Sequence, residues 1–293
     1  MTHVSVRQGL LYVSIAATAW GTGGAAAALL YRVGDLGPVA VSFWRFAVGA
    51  ALLAAFRLLT AGRPRRRARL SARHVVLTGA GMAISQSAYF AAIESSGVAI
   101  ATVVTLGASP VLVAVGARLA LGERLGRSGA LGIAAAVAGL LLLTGDGGGD
   151  GFSSAGLGWA LLSAVTYAGV TLAGRAVRDD PLGTTLGALA VGALCVLPLA
   201  LVQGVLPASA DPVAAGALLG YLGAVPTALA YGLFFTGLTA VRATTASVIS
   251  LVEPVGATLI GVLLLGERLA PLAAAGAGVL LLAVLLLALA ERD

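Results

Sequence analysis

Glu253 and Pro254 stand side by side in "SLVEPVGATLIGVLLLGERL" (250–269), a run that is otherwise apolar. Carrying an ionisable group to the centre of a bilayer costs about 2.5–3.5 kcal/mol, and groups kept there usually face a path or a partner. A carboxylate at that depth can bind a cation, tie helices together, or take up and release a proton. Pro254 has no N–H, so the carbonyl of Ser250 loses its helical donor. A freed carbonyl is tolerated in a membrane where neighbouring groups or water satisfy it. Ser250 lies one turn before Glu253, and Ser247 two turns before Pro254, so two hydroxyls share this region. The stretch reads as a polar notch lining a pathway, with Glu253 as the proton-coupling candidate. The competing reading is a hydrogen-bonded Glu253 that only holds helices together.

Other polar groups stand in apolar surroundings. Arg45, in "FWRFAVGAALL" (43–53), is the second charge within a span. It could pair with Glu253, meet an anionic substrate group, or extend to the interface. "SQSAYF" (85–90) carries Gln86 and Tyr89, and a mid-span glutamine needs either another helix or a ligand. Trp20, Tyr167, Tyr231 and Trp44 offer aromatic walls for an organic solute. Ser109 precedes Pro110 as Glu253 precedes Pro254, so a second proline kink is expected.

The rest of the chain must supply a membrane-spanning frame for these groups. Of 293 residues, 59% are hydrophobic and 10% charged, and the mean hydropathy is +1.01. Soluble domains carry roughly a quarter charged residues, so this composition belongs to an integral membrane protein. The net charge of +6 is carried by 18 arginines and no lysine. The arginines fall in short loops between apolar runs, which is a topology signal and not a nucleic-acid footprint. The one cysteine, Cys195, excludes an intrachain disulfide. The first apolar run is long enough to span and has no cleavage-like small-residue site.

A bilayer core needs about 20 apolar residues per helix. Ten segments qualify: 9–31, 38–60, 74–93, 97–120, 128–144, 156–176, 182–203, 213–236, 243–265 and 271–290. With the N-terminus inside, Arg7, the seven arginines from Arg57 to Arg73, Arg118, Arg124, Arg127, Arg175, Arg178, Arg242 and Arg292 all face the cytoplasm. Only Arg32 and Arg268 face out, so both termini are expected inside.

The chain also repeats. LGERL occurs at 121–125 and at 265–269, and the same offset of 144 residues aligns Pro110 with Pro254. "GLLYVSIAATAWG" (9–21) matches "GLGWALLSAVTYAG" (156–169) with small shifts. Five spans per half is an odd number, so the second half is inverted relative to the first. The expected fold is all-α: ten transmembrane helices in two inverted five-helix repeats around a central cavity. The repeats are 9–144 and 156–290, joined by an outer Gly/Asp linker at 145–155 that contains "GDGGGDG". Inverted repeats place the substrate near the midplane between the halves.

Trp20-Gly21 in the first span, "FWRFAVGAALL" in the second and the paired proline-x(10)-LGERL pattern resemble the EamA-type transporters of the drug/metabolite transporter superfamily. The resemblance covers nearly the whole chain. It implies a carrier in a bacterial inner membrane, many such carriers exporting amino acids, metabolites or toxic compounds. It also implies a cavity bounded by spans 1, 3, 4, 6, 8 and 9, with spans 5 and 10 peripheral and available to support a homodimer. The small-residue faces of "GRSGALGIAAAVAG" (126–139) and "APLAAAGAG" (270–278) fit either such a seam or packing within one chain.

The expected function is secondary active transport of a small-molecule solute by alternating access, with Trp20, Arg45, Gln86, Tyr89, Ser109, Tyr167, Tyr231, Ser250 and Glu253 as lining candidates. No cofactor, metal or nucleic acid is expected; membrane lipids are, including headgroups at the basic loop 63–73. The Glu123-Arg124 and Glu267-Arg268 pairs read as interfacial caps or ion pairs that fix loop geometry. The alternatives are an intramembrane enzyme or a receptor-like scaffold. The first lacks an HExxH motif and a second deep carboxylate, and without a Walker A motif ATP does not power the chain directly.

Overall fold

The computed structural model describes residues 4–34, 36–60, 71–123, 126–144, 154–176, 180–206, 211–265 and 271–290. The basic loop over 61–70, the linker over 145–153 and Glu267-Arg268 lie outside the described residues. Among the described residues the chain is helical, without strands.

Helix starts follow local chemistry. Helix α1 (Val6–Gly34) opens on a reciprocal box. The Ser5 N–H donates to Gln8 Oε1 at 3.0 Å, and the Gln8 N–H to Ser5 Oγ at 3.3 Å. Helix α2 (Pro38–Leu59) begins with proline, whose missing N–H costs nothing at that position. Helices α6 (Pro181–Gln203) and α7 (Pro212–Gly223) pair a proline with an aspartate cap. Asp180 accepts from the Gly183 N–H and Asp211 from the Ala214 N–H. Between them in the order come α3 (Ala72–Ala120), α4 (Arg127–Thr144) and α5 (Ser154–Ala176).

The third and fourth expected spans, 74–93 and 97–120, both fall in α3 and correspond to its segments Ala72–Ile93 and Ala101–Ala120. Helix α3 cannot be straight. Tyr89 Oη and Thr102 Oγ1 are 2.8 Å apart, whereas thirteen residues of straight helix rise about 20 Å. Ser85 meets Ser163 and Thr105 meets the Ala160 carbonyl, so residues 20 apart on α3 touch positions one turn apart on α5. Helix α3 is therefore a hairpin, and its arms Ala72–Ile93 and Ala101–Ala120 are each long and apolar enough to cross a membrane.

The eighth and ninth expected spans are interrupted at mid-length. Helix α7 runs through a π-helical turn (Ala224–Leu229) into α8 (Ala230–Gly237). The ninth is broken into α9 (Ala243–Ile249) and α10 (Val252–Leu265), and α11 (Pro271–Ala290) completes the order. Six described segments meet the length and hydropathy of a span: the two arms of α3, with α2, α5, α6 and Pro212–Gly237; Gly129–Leu142 and Ala274–Leu286 are shorter apolar helices.

Helices before residue 145 pack chiefly on helices after 153: α1 on α8 and α10, α2 on α6, α3 on α5 and α4 on α11. Lipid removes the hydrophobic drive between helices, so close contact between backbones must supply cohesion. Gly139 illustrates this. A Cβ there would lie 2.7 Å from the Leu280 nitrogen and 2.9 Å from the Gly276 carbonyl oxygen. The small-residue faces of spans 5 and 10 thus meet each other within one chain.

Candidate functional site

The break before Pro254 defines the site. The Leu251 N–H donates to the Val248 carbonyl and the Glu253 N–H to the Ser250 carbonyl, each at 3.0 Å and each three residues back. The carbonyl that Pro254 cannot serve is therefore satisfied by the backbone of Glu253. Pro254 itself lies in the first turn of α10, where an N–H would have no helical acceptor. The expected kink is, in the structure, a new helix start. Glu253 occupies that first turn, where the positive end of the helix dipole favours a carboxylate.

Gly21 permits this arrangement. A Cβ at 21 would meet the Glu253 carbonyl oxygen at 2.8 Å and the Gly256 Cα at 3.2 Å. Only a glycine lets α1 run against the first turn of α10. Beside it, Trp20 is 8% exposed, with its Nε1 unpaired among the described residues, and its ring lies 5.1 Å from both Tyr231 and Phe234. Tyr231 stacks on Phe235 at 6.2 Å.

Arg45 is the second charge. Its Nε donates to Thr227 Oγ1 at 3.3 Å. Thr227 is fully buried and donates in turn to the Leu222 carbonyl at 2.7 Å. That carbonyl lies four residues before Pro226 and so lacks its α-helical donor. The π turn thus supplies one hydroxyl that heals the proline defect and orients the arginine. Sequence reasoning missed Thr227; the signal was a Pro-Thr pair in mid-span.

Arg45 and Glu253 do not form an ion pair; among the described residues the ion pairs are Arg57–Asp180 and Arg175–Glu123. They do lie within electrostatic reach of one another, and Tyr89, Tyr167 and Tyr231 lie within reach of Glu253. Tyr167 Oη donates to Ser250 Oγ at 3.1 Å, and Ser250 Oγ donates to the Ala246 carbonyl at 3.0 Å. Seven of the nine expected residues therefore form one group: Trp20, Arg45, Tyr89, Tyr167, Tyr231, Ser250 and Glu253. Gln86 lies one turn from Tyr89, partly exposed and without a hydrogen-bond partner among the described residues. Ser109 is buried and donates to the Thr105 carbonyl of its own helix at 2.6 Å, and the adjacent Pro110 is buried inside α3. Trp44 stands apart, with its Nε1 donating to the Val205 carbonyl at 2.8 Å.

The sequence model of the EamA-like transporter family matches this chain twice, over residues 7–145 and 154–289. The chain belongs to the EamA-like transporter family. A Bacillus subtilis relative, described as the uncharacterized transporter YwfM, is 32% identical over 285 residues, covering 96% of this chain and 94% of its own. A WAT1-related chloroplastic protein of Arabidopsis thaliana is 31% identical over 207 residues, covering 65% of this chain and 48% of its own. One solved crystal structure has the same fold, with a TM-score of 0.78 at 22% identity over 95% of this chain and 97% of that one. Family membership and the apolar helices make this EamA-like chain a multi-pass membrane protein of a transporter family.

At the first LGERL copy, Glu123 pairs with Arg175 at the end of α5, Nε to Oε1 at 3.1 Å, while Arg124 lies outside the described residues.

Proposed function

We propose that this chain is a secondary active transporter that moves a small organic solute by alternating access, with export of a metabolite, amino acid or toxic compound as its direction. The observation that carries the reading is the polar group around the α9–α10 break. Its members come from both matched segments: Trp20, Arg45 and Tyr89 from the first, Tyr167, Tyr231, Ser250 and Glu253 from the second. Arg45, Gln86, Tyr89, Tyr167, Tyr231 and Glu253 keep part of their surface accessible although protein surrounds them. That suits residues lining an internal path. Glu253 is the proton-coupling group of this proposal, and Pro110 and Pro254 are its helix irregularities.

The spans number ten, arranged as two inverted repeats over 9–144 and 156–290. Two observations support this. The family match repeats across the two halves. The packing pattern also survives exchange of the halves: the first helix of one half lies on α8 and α10 of the other, and α5 lies on both arms of α3. Arg7, Arg57, Arg73, Arg118, Arg127, Arg175 and Arg242 sit at or near helix ends, which this reading takes as one face of the bundle. We assign that face to the cytoplasm of a bacterial cell, with both termini on it.

The test begins with growth of an expressing strain on a panel of amino acids, metabolites and toxic compounds. Solutes whose toxicity changes are then offered to the purified chain in liposomes. Flux above that of empty liposomes supports the carrier reading. Turnover of a lipid or peptide without flux favours an intramembrane enzyme instead.

A further inference from the structure

The two ion pairs share three properties. Each joins the first matched segment to the second: Arg57 to Asp180 at 2.8 Å, and Glu123 to Arg175 at 3.1 Å. Both sit at one face of the bundle, because Arg175 ends α5 and Asp180 caps α6 only five residues later. Both grip helix ends. Arg175 also donates through Nη1 to the Leu238 and Thr239 carbonyls, at 3.0 and 3.1 Å. One guanidinium therefore ties the ends of α3, α5 and α8. Asp180 keeps its cap to the Gly183 N–H at 2.8 Å while pairing with Arg57.

The helices beside the Arg175–Glu123 pair are closely packed. Val13, Ala117, Leu238, Val241, Ala243 and Ala246 are all 0% exposed, and every residue of α9 is buried. Deeper in, Arg45, Gln86, Tyr231 and Glu253 keep partial access. The helix ends around Arg175 are thus tightly packed in the described conformation.

We propose that Arg57–Asp180 and Arg175–Glu123 are the latch of a gate at this face, and that both pairs separate when the pathway opens there. The proposal rests on the alternating-access reading. Charges suit a reversible latch at an interface: once parted, each regains water, so closed and open states differ little in energy. Among the described residues Glu123 Oε2 is buried without a partner, which keeps the closed state from being over-stabilised.

The test uses the Cys195→Ser chain in nanodiscs, alkylated by a soluble maleimide. Ser247→Cys, at a site 1% exposed on α9, reports on the gate; Ala136→Cys, at a site 0% exposed in the α4–α11 seam, reports on general loosening. Combining Glu123→Gln with Arg57→Gln should speed alkylation at 247 about tenfold, the shift that about 1.4 kcal/mol produces. Labelling at 136 should stay unchanged. Equal acceleration at both sites, or none at 247, overturns the latch. An overturned latch leaves the carrier reading standing, since wild-type flux in liposomes decides that independently.

Discussion

Replacing Gly21 with alanine should strain the junction that positions Glu253. The added Cβ would lie 2.8 Å from the Glu253 carbonyl oxygen, 3.2 Å from the Gly256 Cα and 3.3 Å from the Ala257 nitrogen. Ordinary contacts begin near 3.4 Å, so α1 and α10 must part by roughly half an ångström, and the neighbours are backbone with no rotamer to yield. Overpacking of this kind costs about 1–3 kcal/mol. A helical glycine with open space supplies the control. Nothing lies within 4 Å of a Cβ at Gly169, and Gly→Ala there should gain about 0.5–1 kcal/mol from helix propensity. The assay is thermal stability of the purified chain in detergent, read as the monodisperse fraction after heating. Gly21→Ala should melt below wild type and Gly169→Ala at or above it. A Gly21→Ala chain as stable as wild type would refute the close approach of α1 to α10.

Thr227→Val should cost about 1–3 kcal/mol, because it strips the donor from the Leu222 carbonyl in a buried site, whereas Thr227→Ser should stay near wild type; the same heating assay separates them. In the Cys195→Ser background, a cysteine at Gly147 should react with an impermeant maleimide on intact cells and one at Arg66 should not. The reverse pattern would overturn the orientation assigned from the arginines. Gly139→Leu should split the α4–α11 seam and lower the melting temperature more than Gly169→Ala raises it, since its neighbours are the Leu280 nitrogen and the Gly276 carbonyl.

What the sequence made legible was what one-dimensional pattern encodes. Apolar runs and arginine placement gave the membrane class, and the 144-residue offset gave two related halves that the family match also finds. A mid-span Glu-Pro pointed to the place where α9 ends and α10 begins. The form of that irregularity was hidden, because a proline removes one donor without saying which group replaces it. At Ser250 the substitute is the Glu253 N–H, at Leu222 the Thr227 hydroxyl. The two spans of α3 were legible as two apolar runs, and its membrane-length arms Ala72–Ile93 and Ala101–Ala120 match them. Long-range partners were illegible for a simpler reason. Glu123 finds Arg175, 52 residues away, and Trp44 finds Val205, 161 residues away, and neither spacing has a periodicity.

The central claim is a carrier whose Glu253 couples solute movement to protons. Its most direct test compares wild type with Glu253→Gln in liposomes, using a solute identified by the growth panel, with and without an imposed pH gradient. Glutamine keeps size and hydrogen bonding but cannot exchange a proton. The account predicts that Glu253→Gln still exchanges labelled for unlabelled solute across the membrane and loses gradient-driven accumulation. Gradient-driven transport by Glu253→Gln at the wild-type rate would contradict it and leave Glu253 as the structural anion at the start of α10.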